Sequence, residues 1–268
     1  MRLDGHTALI TGGSQGVGAA IAARLAQAGS HIIIQGLAED HLAVSTLEAC
    51  RSHGVDAHFV AADFSAASRE QMHAFGQQVV DQLGTPTLLV NNAGTYCDLP
   101  FLEMTQELFD RTMGLNVAAG YFLTQFCAQW WIAKNLQGRV LFTGSINGEL
   151  AEADHSAYDT SKGAVHSMVR SLCVALAPHG IRVNGMAPGL VVTPLTAPVL
   201  AGDKEAMRWM QLHTPNGQVP GPEACAAAAL FLLSDEASHV QGQMLLVDGG
   251  MSAWQQPDLP DALRPGLQ

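Results

Sequence analysis

Thr7-Ala8-Leu9-Ile10-Thr11-Gly12-Gly13-Ser14-Gln15-Gly16-Val17-Gly18 reads as a short apolar strand that runs straight into a glycine-rich turn. An alanine-rich helix follows from about Ala19 to Ala28 and closes at Gly29. Strand, glycine turn and helix in that order are the context that a dinucleotide-binding fingerprint requires. The glycines allow a tight turn and let backbone approach a pyrophosphate. The helix start supplies free N–H groups and the positive end of the helix dipole. The spacing is Gly-x-x-x-Gly-x-Gly, not the commoner Gly-x-Gly-x-x-Gly. Alone, the triplet suits a plain helix-opening loop equally well.

Working outward, the same strand-then-helix unit repeats without a linker, which favours one α/β layer structure over two small domains. Strands are predicted at 7–11, 31–35, 56–61, 87–91, 138–143, 181–186 and 243–247. Helices are predicted near 17–28, 40–53, 66–83, 105–136 (broken near Asn116), 157–178 and 223–233. Strands such as Ile32-Ile33-Ile34 show no apolar–polar alternation, as befits a parallel sheet covered on both faces.

The remaining motifs sit at strand ends. Leu88-Leu89-Val90-Asn91-Asn92-Ala93-Gly94 ends an apolar strand in two amides, which need partners and can tie neighbouring loops together. Asn116, in Gly114-Leu115-Asn116-Val117, interrupts an apolar helical stretch; in isolation it fits a satisfied core amide as well as a functional group. Thr143-Gly144-Ser145 follows another strand. Thirteen residues after Ser145, Tyr158 stands one helical turn before Lys162 in Tyr158-Asp159-Thr160-Ser161-Lys162. Positions i and i+4 share a helix face, so phenol and ammonium project into one pocket. A cation there is expected to lower the tyrosine pKa from about 10 and make the phenol a usable proton shuttle. Arg182 to Gly189 and Val247-Asp248-Gly249-Gly250 complete the series.

Together these residues, from about Leu3 to Met251, resemble the short-chain dehydrogenase/reductase family in its single-domain branch of about this length. The resemblance implies a Rossmann-type, doubly wound parallel sheet of about seven strands with helices on both faces. It also implies an NAD(P)-dependent oxidoreductase interconverting alcohol and carbonyl. On it, Tyr158 would be the general acid/base and Lys162 its neighbour and a ribose ligand. Ser145 would bond the reacting oxygen, and Asn116 would hold a water relaying protons to Lys162. The cofactor would lie against Gly12, Ser14, Gln15, Gly16, Val17, Gly18, Gly36, Leu37, Asp63, Phe64, Asn92, Ala93, Gly94, Pro188, Gly189, Val191 and Thr193, with Tyr158 and Lys162 at its reactive end. Relatives are mostly homotetramers built on two long helices, and 105–136 and 157–178 match those. Trp130 and Trp131 suit either core or interface. The chain 1–268 is read as one dinucleotide-binding domain, with the proline-rich stretch 190–222 as a substrate lid around an amphipathic piece at 205–210. The tail from Gln255 to Pro260 is polar and proline-rich.

Composition sets limits. A net charge of −11 argues against binding nucleic acid or an anionic membrane through bulk electrostatics. No apolar run is long enough to span a bilayer, and Met1 leads almost directly into the first strand, so a cytoplasmic protein without a signal peptide is expected. Five scattered cysteines fit a reducing compartment. The 11 histidines form no ligand-spaced cluster, so no metal is expected.

Cofactor choice and substrate stay open. At the end of the second strand Gly36 stands where an NAD-selecting acid is expected in this family, and Leu37 where an NADP-selecting arginine is expected. Gln15 fills the basic slot in the turn. Placing a 2′-phosphate without a cation costs more than losing one hydroxyl hydrogen bond, which leans the reading from NADP toward NAD. Asp63 matches an adenine-bonding residue. Between Ser145 and Tyr158, the residues Asn147, Glu149, Glu152 and His155 suit the hydroxyls of a sugar or polyol, and equally a solvated loop. A 3-oxoacyl-thioester or other ketone reductase is the alternative; Arg139, Lys134 and His179 would have to serve an acidic carrier. A catalytically silent dinucleotide sensor is the second alternative, disfavoured because all four catalytic-type residues are kept.

Overall fold

The computed structural model describes residues 1–194, Thr196 and 204–254. Seven strands run parallel in one sheet: β1 (Thr7–Thr11), β2 (His31–Gly36), β3 (Ala57–Ala61), β4 (Leu88–Asn91), β5 (Arg139–Thr143), β6 (Arg182–Pro188) and β7 (Met244–Val247). Their order is β3-β2-β1-β4-β5-β6-β7, so the strand order reverses direction between β1 and β4. That reversal opens a crevice at the carboxyl ends of the strands. All predicted strands are present, within two residues at each end.

The period-two geometry of a strand explains why the sequence shows no alternation. Ala8, Ile10, Ile32, Ile34, Leu88, Val90 and Leu141 point to one face, beneath α1 (Gly16–Gln27), α2 (His41–Arg51) and α8 (Glu223–Leu233). Leu9, Ile33, Leu89, Val140 and Phe142 point to the other. There they meet α3 (Arg69–Leu83), α5 (Ala119–Ala133) and α6 (Ser156–Leu176). Both faces are buried, so both sets must be apolar. Trp131 belongs to this second core: it is fully buried and its indole N–H donates to the Pro86 carbonyl at 2.7 Å. Emptying such a site costs roughly 3–5 kcal/mol. Trp130 is only partly buried and donates to Thr85 Oγ1 at 3.1 Å.

The helix predicted over 105–136 is broken where expected. α4 (Gln106–Met113) gives way to one π-helical turn, Gly114–Ala118, before α5 begins. Such turns concentrate at functional sites because they release backbone and re-aim a side chain; here the side chain is Asn116.

Arg139 and Arg182 open β5 and β6 at the end of the sheet away from the crevice. They donate to the last carbonyls of α8: Arg139 to Leu233 at 2.6 Å, Arg182 to Leu232 and Ser234 at 2.8 Å. Burial pushes the Arg182 guanidinium down to about 10. Arg139 therefore neutralises a helix end and is not a surface cation for an acidic carrier.

After β6, Val192 N–H bonds the Pro220 carbonyl, and a further helix, α7 (Lys204–His213), extends the amphipathic piece by one residue at its start and three at its end. Trp209 stacks on His213 within it at 3.9 Å. Residues 195 and 197–203 of the expected lid, and the tail from Gln255, lie outside the described residues. Among the described residues no helix is long and apolar enough to cross a membrane.

Candidate active site

The glycine turn after β1 is built for close approach. Gly12 has φ +61°, and a Cβ there would come 2.9 Å from the Ala93 Cα. A Cβ on Gly18 would sit 2.1 Å from the Gly12 carbonyl. Two side chains, Gln35 and Asn92, fix the turn. Gly12 N–H donates to Gln35 Oε1 at 3.0 Å, while Gln35 Nε2 donates to the Ala62 carbonyl at 2.7 Å. Asn92 Nδ2 donates to the Thr11 and Gly12 carbonyls at 3.2 and 3.1 Å, and its Oδ1 accepts from Thr143 Oγ1 at 3.2 Å. Thr11 Oγ1 accepts from the Asn92 and Ala93 N–H groups. The amides at the end of β4 thus tie β1, β4 and β5 together.

A cleft of about 490 Å³ runs above these strand ends. Of the residues expected along a cofactor, Gly12, Ser14, Gln15, Gly16, Val17, Gly36, Leu37, Asp63, Phe64, Asn92, Ala93, Gly94, Pro188, Gly189 and Thr193 line it. Gly18 and Val191 do not. Gly18 is spent on helix–turn contact, and Val191 is buried in the core with Ile10 and Leu230. The cradle fits a dinucleotide. α2, α3 and α4 each cap their first turn with Asp40, Ser68 or Thr105, whereas Gln15 gives α1 no side-chain cap and no acid stands in its first turn. The free N–H groups of α1 therefore face the cleft, an anion site by geometry and dipole.

At the other end of the cleft Tyr158, Lys162 and Ser145 converge. Lys162 Nζ donates to the Thr143 carbonyl at 2.9 Å and lies 5.4 Å from the centre of the Tyr158 ring. With 6% exposure, its ammonium is disfavoured and its pKa is pushed down to about 8. Ser145 lies close enough to the Tyr158 phenol to favour its ionised form. Here the expected lowering of the tyrosine pKa is corrected. Burial of the phenol raises it, Ser145 opposes that rise, and the carboxylates of Asp159 and Glu152 add to it. Dehydrating a phenolate outweighs what the protein's own cation offers, because that cation is itself dehydrated.

Asn116 Oδ1 accepts from Thr95 N–H at 2.8 Å, and its Nδ2 donates to the Thr95 carbonyl and Ser161 Oγ, both at 2.9 Å. Ser161 in turn donates to the Tyr158 carbonyl at 2.7 Å. The carboxamide hydrogens are thus spent clamping the loop after β4 to α6.

The expected substrate loop is rearranged. Asn147 is buried and gives its amide hydrogens to Glu152 (3.1 Å) and Asp159 (2.8 Å). Its N–H donates to Ser145 Oγ at 3.1 Å. Glu149 lies 3.7 Å from His166 Nδ1. His155 bonds Asp98 through Nε2, and its Nδ1 is 3.3 Å from Glu152. Of the five expected substrate residues, Ser145 and Tyr158 line the cleft. Asn147 and Glu149 instead shape the loop. Sequence reasoning missed His166, whose buried ring contacts the Ser145 carbonyl at 3.0 Å. Burial pushes that imidazole pKa down, so the neutral ring donates. It missed Arg111 too, which with Lys162 makes the two cations lining the cleft among the described residues. Neither carries a local sequence signal; both are single residues brought in by helix packing.

The family model described as Enoyl-(Acyl carrier protein) reductase matches residues 12–252. L-rhamnose 1-dehydrogenase (NADP(+)) of Thermoplasma acidophilum is 35% identical, over 92% of this chain and 96% of its own length. L-rhamnose 1-dehydrogenase (NAD(P)(+)) of a Sphingomonas strain is 34% identical, over 93% and 97%. The crystal structure of a gluconate 5-dehydrogenase from Burkholderia cenocepacia in complex with NADP and tartrate superposes with a TM-score of 0.87 at 31% identity, covering 94% of this chain and 97% of that one. The chain belongs to the short-chain dehydrogenase/reductase family. It is an NAD(P)-dependent oxidoreductase acting on CH–OH groups.

Proposed function

We propose that the protein interconverts a sugar or polyol and its carbonyl form, with Tyr158 as general acid/base. The observation that carries this is the convergence of Tyr158, Ser145 and Lys162 in one cleft at the strand ends, with Lys162 Nζ 5.4 Å from the centre of the Tyr158 ring. In oxidation the Tyr158 phenolate takes the hydroxyl proton while the C–H hydrogen leaves with its electron pair. Ser145 donates to the oxygen as negative charge develops on it. Lys162 holds positive charge beside the phenol and would hold the ribose of a bound cofactor. Asn116 and Ser161 position the helix turn that carries Tyr158. When bound, the oxidised nicotinamide accepts the hydride and adds a positive charge that favours the phenolate. The rate of oxidation therefore rises with pH through the phenol pKa that holds with oxidised cofactor bound, since the base form must exist first.

The residues at the far end of the cleft support NAD over NADP. Gly36, Leu37 (74% exposed), Ala38 and Asp40 line it there and offer no cation for a 2′-phosphate. The two relatives above are named for NADP(+) and NAD(P)(+), so steady-state kinetics with both cofactors is the test. A kcat/KM for NADP above that for NAD overturns this preference. Exposed Tyr121 and Ile132 on α5, Val174 on α6 and Leu245 and Leu246 on β7 support a homotetramer, checked by light scattering. The five free cysteines support a cytoplasmic setting. Turnover of aldoses and polyols, against steroids and 3-oxoacyl thioesters, tests the substrate class; no activity on any sugar refutes it.

A further inference from the structure

One face of α6 meets the chain that leaves β5 at two successive points. Tyr158, Lys162 and His166 stand on that face, each one helical turn beyond the last. Lys162 Nζ donates to the Thr143 carbonyl at 2.9 Å, and His166 Nε2 lies 3.0 Å from the Ser145 carbonyl. Four residues of helix rise by about 6 Å, and two residues of extended chain advance by about 6.6 Å with their carbonyls on the same side. Ser145 is extended, with φ −164° and ψ 158°. Helix and strand end therefore run in step, the lysine on one carbonyl and the histidine on the next but one.

The imidazole is closely packed where it makes this contact. His166 is 3% exposed. A Cβ on Gly148 would collide with its Nε2, and one on Gly144 would come within 3.1 Å of it. Glycine at both places lets the ring reach the carbonyl between them. Gly148 N–H donates to the same carbonyl at 3.0 Å, and Gly144 N–H donates to the Met186 carbonyl on β6 at 2.7 Å. Past the strand end the loop has two anchors on α6, Asn147 on Asp159 at 2.8 Å and the Ser145 carbonyl on His166. The second lies at Ser145 itself. On the far side of the ring Nδ1 faces the Glu149 carboxylate at 3.7 Å, too far for a hydrogen bond.

We propose that His166 is a positioning residue for the reaction: through the Ser145 carbonyl it holds the Ser145 hydroxyl where it donates to the reacting oxygen. This rests on the reading of Ser145 given above. A carbonyl oxygen only accepts, so the ring presents Nε2–H to it. Burial disfavours the imidazolium and keeps the neutral ring at neutral pH. A donor to a developing oxyanion acts by being in place beforehand, and a displacement of ~1 Å costs on the order of 10²-fold in rate. His166 is not among the residues lining the cleft, so what it contributes is placement and not contact with substrate.

The experiment is a double-mutant cycle between His166 and Ser145, with kcat, KM and cofactor affinity measured for each variant. L-rhamnose is the substrate, or, where it is not turned over, the compound of the panel above that is. His166→Phe keeps a flat ring and removes the donor; it is expected to lower kcat by about 10–100-fold, with KM and cofactor affinity within about threefold of wild type. His166→Gln keeps an N–H at the reach of Nε2 and is expected to restore most of the loss. Ser145→Ala is expected to lower kcat by about 10²–10³-fold, and adding His166→Phe to it should change kcat by less than about twofold. Should His166→Phe fail to fold, His166→Asn, whose amide falls one methylene short of the carbonyl, takes its place. Wild-type kcat in His166→Phe beside a crippled Ser145→Ala overturns this inference and leaves the reading of Ser145 standing. So does an equal loss in the Gln and Phe variants, or a loss that persists undiminished in Ser145→Ala. Full activity of Ser145→Ala overturns both.

Discussion

The two ends of the cleft are built on opposite principles. The end over β1 and β2 is made of backbone: glycines pressed against neighbouring main chain, an uncapped helix start, and amides spent on carbonyls. The end over β5 and α6 is made of side chains at odds with solvation: a buried lysine whose pKa is pushed down to about 8 and a buried phenol pushed up. Binding an unreactive anion needs donors fixed in place. Moving a proton needs groups whose ionisation the site controls, and burial shifts the two in opposite directions, Tyr158 up and Lys162 down.

This contrast is sharpest if each end can be broken alone. The largest effect is expected from Tyr158→Phe. It removes the proton carrier and should lower kcat/KM by roughly 10²–10⁴-fold. Cofactor affinity, followed by fluorescence titration, should stay near wild type. Residual activity close to wild type would remove Tyr158 from the role. Next, Gly18→Val forces a side chain into the Gly12 carbonyl. It should cost about 1–3 kcal/mol of stability by denaturant unfolding and abolish measurable cofactor binding. Full binding by this variant would mean that the turn yields. Asn116→Ala leaves Thr95 and Ser161 without their partner and should cost about 1–3 kcal/mol. Its kcat should fall more than its cofactor affinity; the reverse order would place Asn116 at the other end. Smallest is Ser68→Ala, which uncaps α3 away from both ends. About 1 kcal/mol of stability should go, with kcat unchanged.

How far the sequence reached follows the same division. Strand positions, the glycine turn and the helix break at Asn116 were legible because each is set by local pattern: apolar runs, a left-handed φ, a poor helix former. Tyr158 and Lys162 were legible as a pair because one turn of helix joins them. Their ionisation was not. It depends on burial by the rest of the fold, which spacing along α6 says nothing about. Likewise Asn147 and Glu149 read as substrate ligands by polarity, yet the fold spends them on Asp159, Ser145 and His166. His166 and Asp98 lay unmarked because their partners are 21 and 57 residues away in sequence.

The most direct measurement is the pH titration of the Tyr158 ring by NMR with carbon-labelled tyrosine, assigned by difference from Tyr158→Phe. The phenol is expected to stay protonated to above pH 10 in the protein alone and to titrate at lower pH once oxidised cofactor is added. A phenolate already formed near neutral pH in the protein alone, or a titration that the oxidised cofactor leaves unmoved, would contradict the account.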